Sequence, residues 1–177
     1  MGPTSDMGLS PAGVNILRHY RRGNRVADSR FGIGKMKYKT PEVRRRWLDA
    51  RVHSKLQSLA HDVESEISEM TDAEMTMTES SRTRAETIAI KGDPAAPVST
   101  HESVPLRAFD IRSRDENGVE FPWVQRLVAI INKRWIYDPA RPAKSCAMYH
   151  DVGKGPHLHF QVCDKTVFRG SNYQGAA

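Results

Sequence analysis

The stretch from Gly155 to Val162, Gly-Pro-His-Leu-His-Phe-Gln-Val, constrains the fold of this chain more than any other. Side chains alternate between the two faces of a β-strand. A strand here sends one set into a core: Leu158, Phe160 and Val162. The opposite face then carries His157, His159 and Gln161. Imidazoles on one strand face are typical of half a zinc site. A polar strand face with solvent-exposed histidines has the same pattern, so a metal site needs further ligands elsewhere in the chain.

The bulk composition is that of a globular domain with polar extensions. The chain has 177 residues, of which 38% are hydrophobic and 27% are charged, which suits one domain of ordinary size with additional polar segments. No apolar run approaches the roughly 20 residues that span a bilayer. Residues 1–15 lack the cationic and apolar blocks of a secretory signal. We therefore expect synthesis in the cytoplasm, without a signal peptide or a transmembrane segment.

The formal net charge of +6 predicts an anionic partner, such as nucleic acid, a membrane surface or an anionic cell-wall polymer. Residues 1–39 contain Gly, Pro, Ser and scattered basic residues without a hydrophobic period, which predicts a flexible basic arm. This arm would either attach to a polyanion or remain a solvated tail. Residues 165–177 are predicted as a C-terminal tail, which leaves one domain over residues 40–164.

Two cysteines, Cys146 and Cys163, are too few for a disulfide framework and do not form a Cys-x-x-Cys metal knuckle. They could face each other on neighbouring strands and pair. Two reduced, buried thiols are the expectation for a protein made in the cytosol.

Helical and extended patterns alternate along the predicted domain. Thr40-Pro41-Glu42 predicts a helix start, and apolar residues mostly three or four apart predict one long amphipathic helix over residues 43–70. Strand patterns follow at 75–78, 107–112, 146–150 and 157–163, and helix patterns at 84–90 and 122–135. The last two strands are joined by a glycine-rich loop and predict a hairpin. The predicted fold class is α+β, a small antiparallel sheet packed with helices.

One segment, residues 99–111, supplies partners for the histidine pair, because it contains His101 and Asp110. Asp110 alternates with two apolar neighbours, so a strand here points its carboxylate away from the core. Two histidines and one aspartate provide three ligands and leave a fourth position open, as in catalytic zinc sites. Zinc would polarise a carbonyl and activate water. His157, beside His159 on one face, could then act as a base or as an oxyanion donor.

These motifs resemble the zinc peptidases of the D-alanyl-D-alanine carboxypeptidase type, which include phage endolysins. The matching motifs are Ser99-x-His101, Ala108-x-Asp110-Ile111, His157-x-His159 and the run Thr78-Glu79-Ser80-Ser81-Arg82-Thr83. The last of these is similar to the family's strand ending in Ser-Gly-Tyr-Arg-Ser/Thr. The resemblance covers residues 76–162 and implies a hedgehog-like fold, in which the sheet carries a zinc site.

The resemblance implies a role for each matched residue. Three residues would bind Zn2+: His101, Asp110 and His159. The substrate would contact Arg82, which anchors a carboxylate, and Ser99, which supports or lines the site. Many relatives have a glutamate as general base three residues before the last ligand, where this chain has Pro156. The catalytic base would therefore be His157 or, across the hairpin, His150. Eight residues separate His101 from Asp110, where the family usually has six.

Other classes of protein share part of the pattern. Residues 155–160 also resemble the end motif of lysostaphin-type endopeptidases, which are nearly all β and place their first ligand three residues before the aspartate. A non-heme iron site also uses two histidines and a carboxylate, but its usual His-x-Asp spacing is absent. No Gly-x-Ser-x-Gly elbow of a serine hydrolase is found either.

The sequence therefore predicts a zinc metallopeptidase that hydrolyses peptide bonds in peptidoglycan stem peptides or cross-links. Without a signal peptide, it would be a phage or prophage lytic enzyme. It would reach the cell wall through a membrane-permeabilising, holin-type partner or be carried in a virion. The alternative is a non-enzymatic phage structural or DNA-associated protein with a degenerate peptidase-like fold, whose basic arm binds nucleic acid.

Overall fold

The structure is a computed structural model that describes residues 36–72, 74–153 and 155–170. Within them lie four α-helices: α1 (Pro41–Asp49), α2 (Ser54–Met70), α3 (Arg84–Lys91) and α4 (Val124–Arg134). The strands are β1 (Lys37–Tyr38), β2 (Thr76–Glu79), β3 (Ala108–Arg112), β4 (Trp135–Ile136), β5 (Ala147–His150), β6 (His157–Gln161) and β7 (Val167–Phe168). A 3-10 helix, Thr100–Glu102, precedes β3. No described helix is long and apolar enough to cross a membrane. The α+β class is confirmed.

Among the described residues, the main sheet has five strands in the order β1-β2-β3-β6-β5. The sheet is mixed rather than antiparallel as predicted, because β1 runs parallel to β2 while the other pairs are antiparallel. Strands β5 and β6 form the predicted hairpin, in which His150 lies opposite His157. Strands β4 and β7 form a separate antiparallel pair. Strands β2, β3 and β6 are each hydrogen-bonded to a neighbouring strand on both sides, and β3 and β6 pair along five residues.

The hydrophobic core lies between one face of the main sheet and helices α1, α2 and α4. Along β3 and β6 the predicted alternation holds for the large side chains, and the fully buried large apolar residues are Phe109, Ile111, Leu158 and Phe160. The rings of the cross-strand partners Phe109 and Phe160 stack 5.1 Å apart. Trp47 of α1 contacts Phe109 edge-on at 5.8 Å. The opposite face of these two strands is left for the polar residues.

The prediction of a single amphipathic helix over residues 43–70 is wrong, because this region forms two helices, α1 and α2. The intervening segment, residues 50–53, is tied to Leu106 by two backbone hydrogen bonds. The Leu106 N–H donates to the Arg51 carbonyl at 2.7 Å, and the His53 N–H donates to the Leu106 carbonyl at 3.0 Å. These long-range bonds replace the helical bonds that a continuous helix would make. The break coincides with the one longer step in the apolar spacing.

The folded body extends beyond the predicted domain of residues 40–164 at both ends. Strand β1 pairs with β2, and the preceding Met36 is buried in the core. Strand β7 pairs with β4. Residues 36–38 of the predicted arm and 165–168 of the predicted tail therefore belong to the fold. Residues 1–35 of the predicted arm and 171–177 of the predicted tail lie outside the described residues.

The two cysteines are buried and not bonded to each other, in agreement with the expectation of reduced thiols. Burial raises the pKa of Cys146 to about 12. The Cys163 thiol contacts the Tyr137 carbonyl at 3.0 Å. Both side chains therefore serve as small packing groups of the core.

Candidate metal centre

Asp110 and His159 are direct cross-strand partners on the central strands β3 and β6. The Cβ atoms of such partners lie about 4.5–5.5 Å apart on the same face of a sheet. Both side chains are buried, and His159 Nδ1 lies 2.7 Å from Asp110 Oδ1. The alternation that sends Phe109 and Phe160 into the core therefore places a carboxylate and an imidazole together on the other face.

His101 joins this pair from the 3-10 helix. The Ser99 hydroxyl accepts from the His101 N–H at 3.3 Å, and the Glu102 carboxylate accepts from the Ser99 N–H at 2.9 Å, so a capping box fixes the start of the helix. His101 Nδ1 lies 2.5 Å from the carbonyl of Ser80, which directly follows β2. A proton on Nδ1 satisfies that carbonyl and leaves the Nε2 lone pair for a metal, the arrangement usual for metal-binding histidines.

Three donor atoms converge at this point: His101 Nε2, Asp110 Oδ1 and His159 Nδ1. The His101 atom lies 3.3 Å from each of the other two, which are 2.7 Å apart. Ligand atoms bound about 2.0–2.1 Å from a tetrahedral zinc lie about 3.3 Å from one another. Two separations match that value, and the third is a hydrogen-bond contact that a bound cation would replace. These three buried residues could hold a metal ion.

The electrostatics of the group also suit a cation. Burial raises the pKa of Asp110, but the charges and hydrogen bonds of His101 and then His159 outweigh burial and hold that pKa well below its usual range. Burial lowers the pKa of His101, but the Asp110 carboxylate outweighs this effect and raises it. The buried carboxylate is thus ionised and attracts positive charge. A metal cation can supply that charge in place of a proton on an imidazole.

His157 lies beside the three donor atoms without joining them. Its Nε2 is 3.6 Å from Asp110 Oδ2, and its Nδ1 is 3.0 Å from the Gly155 carbonyl. A proton on Nδ1 satisfies that carbonyl. The Nε2 atom then keeps an unshared lone pair next to the three donor atoms. This is the form that a general base requires.

His150 completes a row of histidines across the hairpin. Its ring lies 4.8 Å from that of His157 and 5.5 Å from that of His159. Its Nε2 atom is buried and has no hydrogen-bond partner among the described residues. Burial, followed by the nearby charge of His157 and His159, lowers the pKa of His150. The ring is therefore neutral at pH 7 and has a buried polar atom without a partner, which costs free energy unless a ligand pairs with it.

Arg82 lies at the edge of the group and is held there by Glu79. Its Nε donates to Glu79 Oε1 at 2.7 Å, and its Nη2 donates to Glu79 Oε2. The Arg82 N–H donates to the His101 carbonyl at 2.9 Å. Burial lowers the pKa of Arg82, but the bond to Glu79 outweighs burial and raises it. The side chain is thus a cation held in a fixed orientation at the edge of the group.

A cleft of about 470 Å³ contains the whole group. Its walls include every site residue predicted from the sequence: Arg82, Ser99, His101, Asp110, His150, His157 and His159. The structure therefore brings the seven residues together, while their chemical roles stay predictions. A larger cavity of about 600 Å³ between α2, Trp135 and Phe168 contains none of them. We locate the candidate site in the smaller cleft, because only its walls carry the buried His-Asp-His group.

Two contributors to the site were missed from the sequence. The Ser80 carbonyl orients His101, but a backbone atom leaves no signal in residue types. Glu79 lies three positions before Arg82 and fixes its side chain, and a glutamate at the end of a strand with an arginine at this spacing is a usable signal. Further walls of the cleft come from Ile90, Lys91, Thr100 and Val152.

Comparison of the chain with protein-family models, with curated proteins and with solved structures gives no match. The likeness to zinc peptidases therefore rests on the motifs quoted from the sequence. The capacity to hold a metal rests on the geometry of His101, Asp110 and His159.

Proposed function

We propose that this protein is a zinc-dependent peptidase that hydrolyses peptide bonds in peptidoglycan stem peptides or cross-links. The observation that carries the proposal is the convergence of His101 Nε2, Asp110 Oδ1 and His159 Nδ1 in one cleft with Arg82 and His157. The proposal includes a fold of the D-alanyl-D-alanine carboxypeptidase and hedgehog-like kind. It also includes action as a phage or prophage lytic enzyme that reaches the cell wall after release from the cytoplasm or from a virion.

Zinc is the metal we propose for the site. Two imidazole nitrogens and one carboxylate oxygen, with a fourth position open, are typical of catalytic zinc. When bound, zinc would polarise the carbonyl of the scissile bond and lower the pKa of water to about 7. The donor residues would be His101, Asp110 and His159. The Ser80 carbonyl would keep His101 in the tautomer that binds metal.

His157 is the proposed general base. Its Nε2 accepts a proton as the oxygen of water bonds to the carbonyl carbon, and the same nitrogen returns that proton to the departing amine when the carbon–nitrogen bond breaks. Its position 3.6 Å from Asp110 Oδ2 stabilises the positive charge that the ring then carries. His150, with its unpartnered buried Nε2, is the proposed second group, placed to pair with the substrate or to take the base role itself.

Arg82 is the proposed anchor for a carboxylate of the substrate. Guanidinium groups bind carboxylates with charge-assisted hydrogen bonds. Glu79 holds two of its nitrogens, so the guanidinium is oriented before a ligand arrives. Ser99 lines the same cleft, and its hydroxyl fixes the helix that carries His101.

Digestion of purified peptidoglycan tests the proposed reaction. Mass spectrometry of the soluble products should show new peptide termini produced by the zinc-loaded protein, and no such products from His159→Ala. His61→Ala, which changes an exposed histidine of α2 outside the cleft, is the matched control and should behave like the unchanged protein. Products cleaved in the glycan strand, or no products from any of the three proteins, would rule out a peptidase of this substrate.

A second candidate function, a non-enzymatic phage structural or DNA-associated protein, is favoured by the net charge of +6. Deletion of residues 1–35 tests it, since the fold described here begins at Met36. If this deletion abolishes retention of duplex DNA on a filter while the full chain never cleaves peptidoglycan, the structural role replaces the enzymatic one.

A further inference from the structure

A second recess adjoins the metal cleft on the side of His157. It has a volume of about 310 Å³ and shares five wall residues with the cleft, among them Arg82, Asp110 and His157. Three basic residues lie only in this second recess: Lys39, Arg112 and Arg114. We call these three residues the cationic subsite.

The charged groups of the cationic subsite are not paired with carboxylates of the described residues. No ion pair within the described part of the chain includes Lys39, Arg112 or Arg114. The two acidic residues in the walls of the recess are already engaged, Glu79 with Arg82 and Asp110 with the histidines. The Arg114 Nε atom is buried and has no hydrogen-bond partner among the described residues. A buried guanidinium nitrogen without a partner costs free energy, and an anion in the recess would remove that cost.

The position of the subsite follows from the register of the sheet. Arg112 lies two residues after Asp110 on β3 and is the cross-strand partner of His157 on β6. Two residues along a strand span about 7 Å. Arg114 lies two residues further along the chain, past the end of β3. An extended peptide with its scissile bond at the metal group would therefore place a side chain one or two residues away in this recess.

We propose that the cationic subsite binds a carboxylate of the substrate peptide, one or two residues from the scissile bond. The inference rests on the proposed peptidase function and adds a substrate preference: acidic stem peptides over their amidated forms. A carboxylate matches the recess because arginines bind it through paired N–H donors. We favour a peptide over nucleic acid because the three cations line one recess that shares walls with the metal cleft. Nucleic acid binding instead relies on contacts to many successive phosphates.

The test compares two synthetic stem pentapeptides, one with a free α-carboxylate on its glutamate and one with that group amidated. The zinc-loaded protein should turn over the acidic peptide with about tenfold higher kcat/KM than the amidated peptide. This is the effect expected from one hydrogen bond to a charged group. In Arg114→Gln and in Arg112→Gln this ratio should fall toward one. Arg126→Gln removes the same charge from an exposed position on α4 and should keep both the ratio and the rates.

Several results would overturn the subsite. One is equal turnover of both peptides by the unchanged protein, and another is an equal loss of turnover for both peptides in Arg114→Gln. A third is weaker binding of a duplex oligonucleotide in Arg112→Gln and Arg114→Gln together with an intact peptide preference, which would assign the cations to nucleic acid.

A failure of the proposed reaction can be distinguished from a failure of the proposed subsite. If neither peptide is cleaved, fluorescence anisotropy with the same two peptides, each carrying a dye, still tests the subsite by binding. Tighter binding of the acidic peptide that is lost in Arg114→Gln and kept in Arg126→Gln would support the subsite without the reaction. Equal binding of the two peptides would reject the subsite. Thermal unfolding of each variant checks that the loss is not one of folding.

Discussion

His157 and His159 share one face of β6 but differ in burial and in what they contact. His159 is buried and its Nδ1 touches Asp110 Oδ1 at 2.7 Å. His157 is partly exposed, and its Nε2 lies 3.6 Å from the other oxygen of the same carboxylate. One imidazole is thus placed as a donor to a metal and the other as a group that can exchange protons with the cleft. The two positions should respond differently to the same substitution.

His157→Ala should lower kcat on a peptide substrate by about 10²–10⁴-fold, the usual contribution of a general base, while the zinc content stays that of the unchanged protein. Steady-state kinetics on a stem pentapeptide and metal analysis of the same samples measure both effects. A variant that keeps full kcat, or one that loses its zinc together with its activity, would show that His157 is not the base.

His150→Ala separates the two candidates for the base. If His157 is the base, His150→Ala should reduce kcat less than His157→Ala. A larger loss of kcat in His150→Ala than in His157→Ala would assign the base to His150. His61→Ala, outside the cleft, serves as the common control.

At the residue scale, two of the three candidate metal ligands were predictable because their spacing follows strand alternation. Asp110 and His159 each alternate with core aromatics, so the sequence indicates which face they occupy. The register that makes them direct partners, and the carbonyl of Ser80 that orients His101, depend on long-range pairing and backbone atoms. Neither is encoded in local residue types.

At the element scale, an ion pair joins α1 to α3. The Arg46 guanidinium donates to both oxygens of Glu86 at 2.9 and 2.6 Å, and Arg46 also donates to the Ser81 carbonyl at 3.2 Å. Glu86 in turn caps α3 through Thr83. The Arg46–Glu86 pair therefore holds two helices and the segment that leads to Arg82.

This ion pair predicts an acid sensitivity of the fold. Hydrogen bonds from Arg46 and then from Thr83 lower the pKa of Glu86 from 4.5 to about 2. The unfolded chain binds a proton at the higher pH, so this stabilisation is present above pH 4.5 and is lost as the pH falls toward 2. In the metal-free protein, Glu86→Gln should flatten the decline of the free energy of unfolding over that range, by about 1 kcal/mol or less for a partly exposed pair.

Urea unfolding at several pH values between 3 and 6 measures this effect. Glu69→Gln, at an exposed position near the end of α2, is the control and should retain the decline. Identical slopes in the unchanged protein and in Glu86→Gln would mean that the Arg46–Glu86 pair does not stabilise the fold.

The break between α1 and α2 shows why one element was predicted incorrectly. Apolar spacing continues across residues 50–53 with only one longer step, so the local pattern favours a continuous helix. The hydrogen bonds of this segment join it to Leu106, which lies more than fifty positions away in the chain. Local periodicity does not contain that information, whereas the capped helix α3, with Thr83 and Glu86 as its capping box, was predictable from neighbouring residues.

At the scale of the whole molecule, Trp47 links α1 to the sheet through its edge-on contact with Phe109. Trp47 is 1% exposed, whereas its neighbour Leu48 is 39% exposed. Trp47→Ala should lower the free energy of unfolding by about 3–5 kcal/mol because it leaves a large cavity, and Leu48→Ala by less than about 1 kcal/mol. Denaturant unfolding of both variants checks this pair. Equal losses would contradict the packing described here.

The overall class and the order of most elements could be predicted, because strand and helix periods are local. The parallel pairing of β1 and the inclusion of β7 could not, since each of these strands is only two residues long and is defined by its distant partner. Because these two-residue strands pair with others, the folded domain extends beyond both of its predicted ends. The candidate site was predictable to a greater extent than the sheet, because its chemistry is concentrated in a few residue types.

Metal content measures the central claim most directly. Protein purified without chelator and exposed to equimolar zinc should hold about one zinc ion per chain. His101→Ala, Asp110→Ala and His159→Ala should each hold almost none, while His157→Ala and the control His61→Ala should keep it. Inductively coupled plasma mass spectrometry of the six dialysed proteins gives the result. Absence of zinc from the unchanged protein, or full zinc content in His159→Ala, would contradict the assignment of the metal centre.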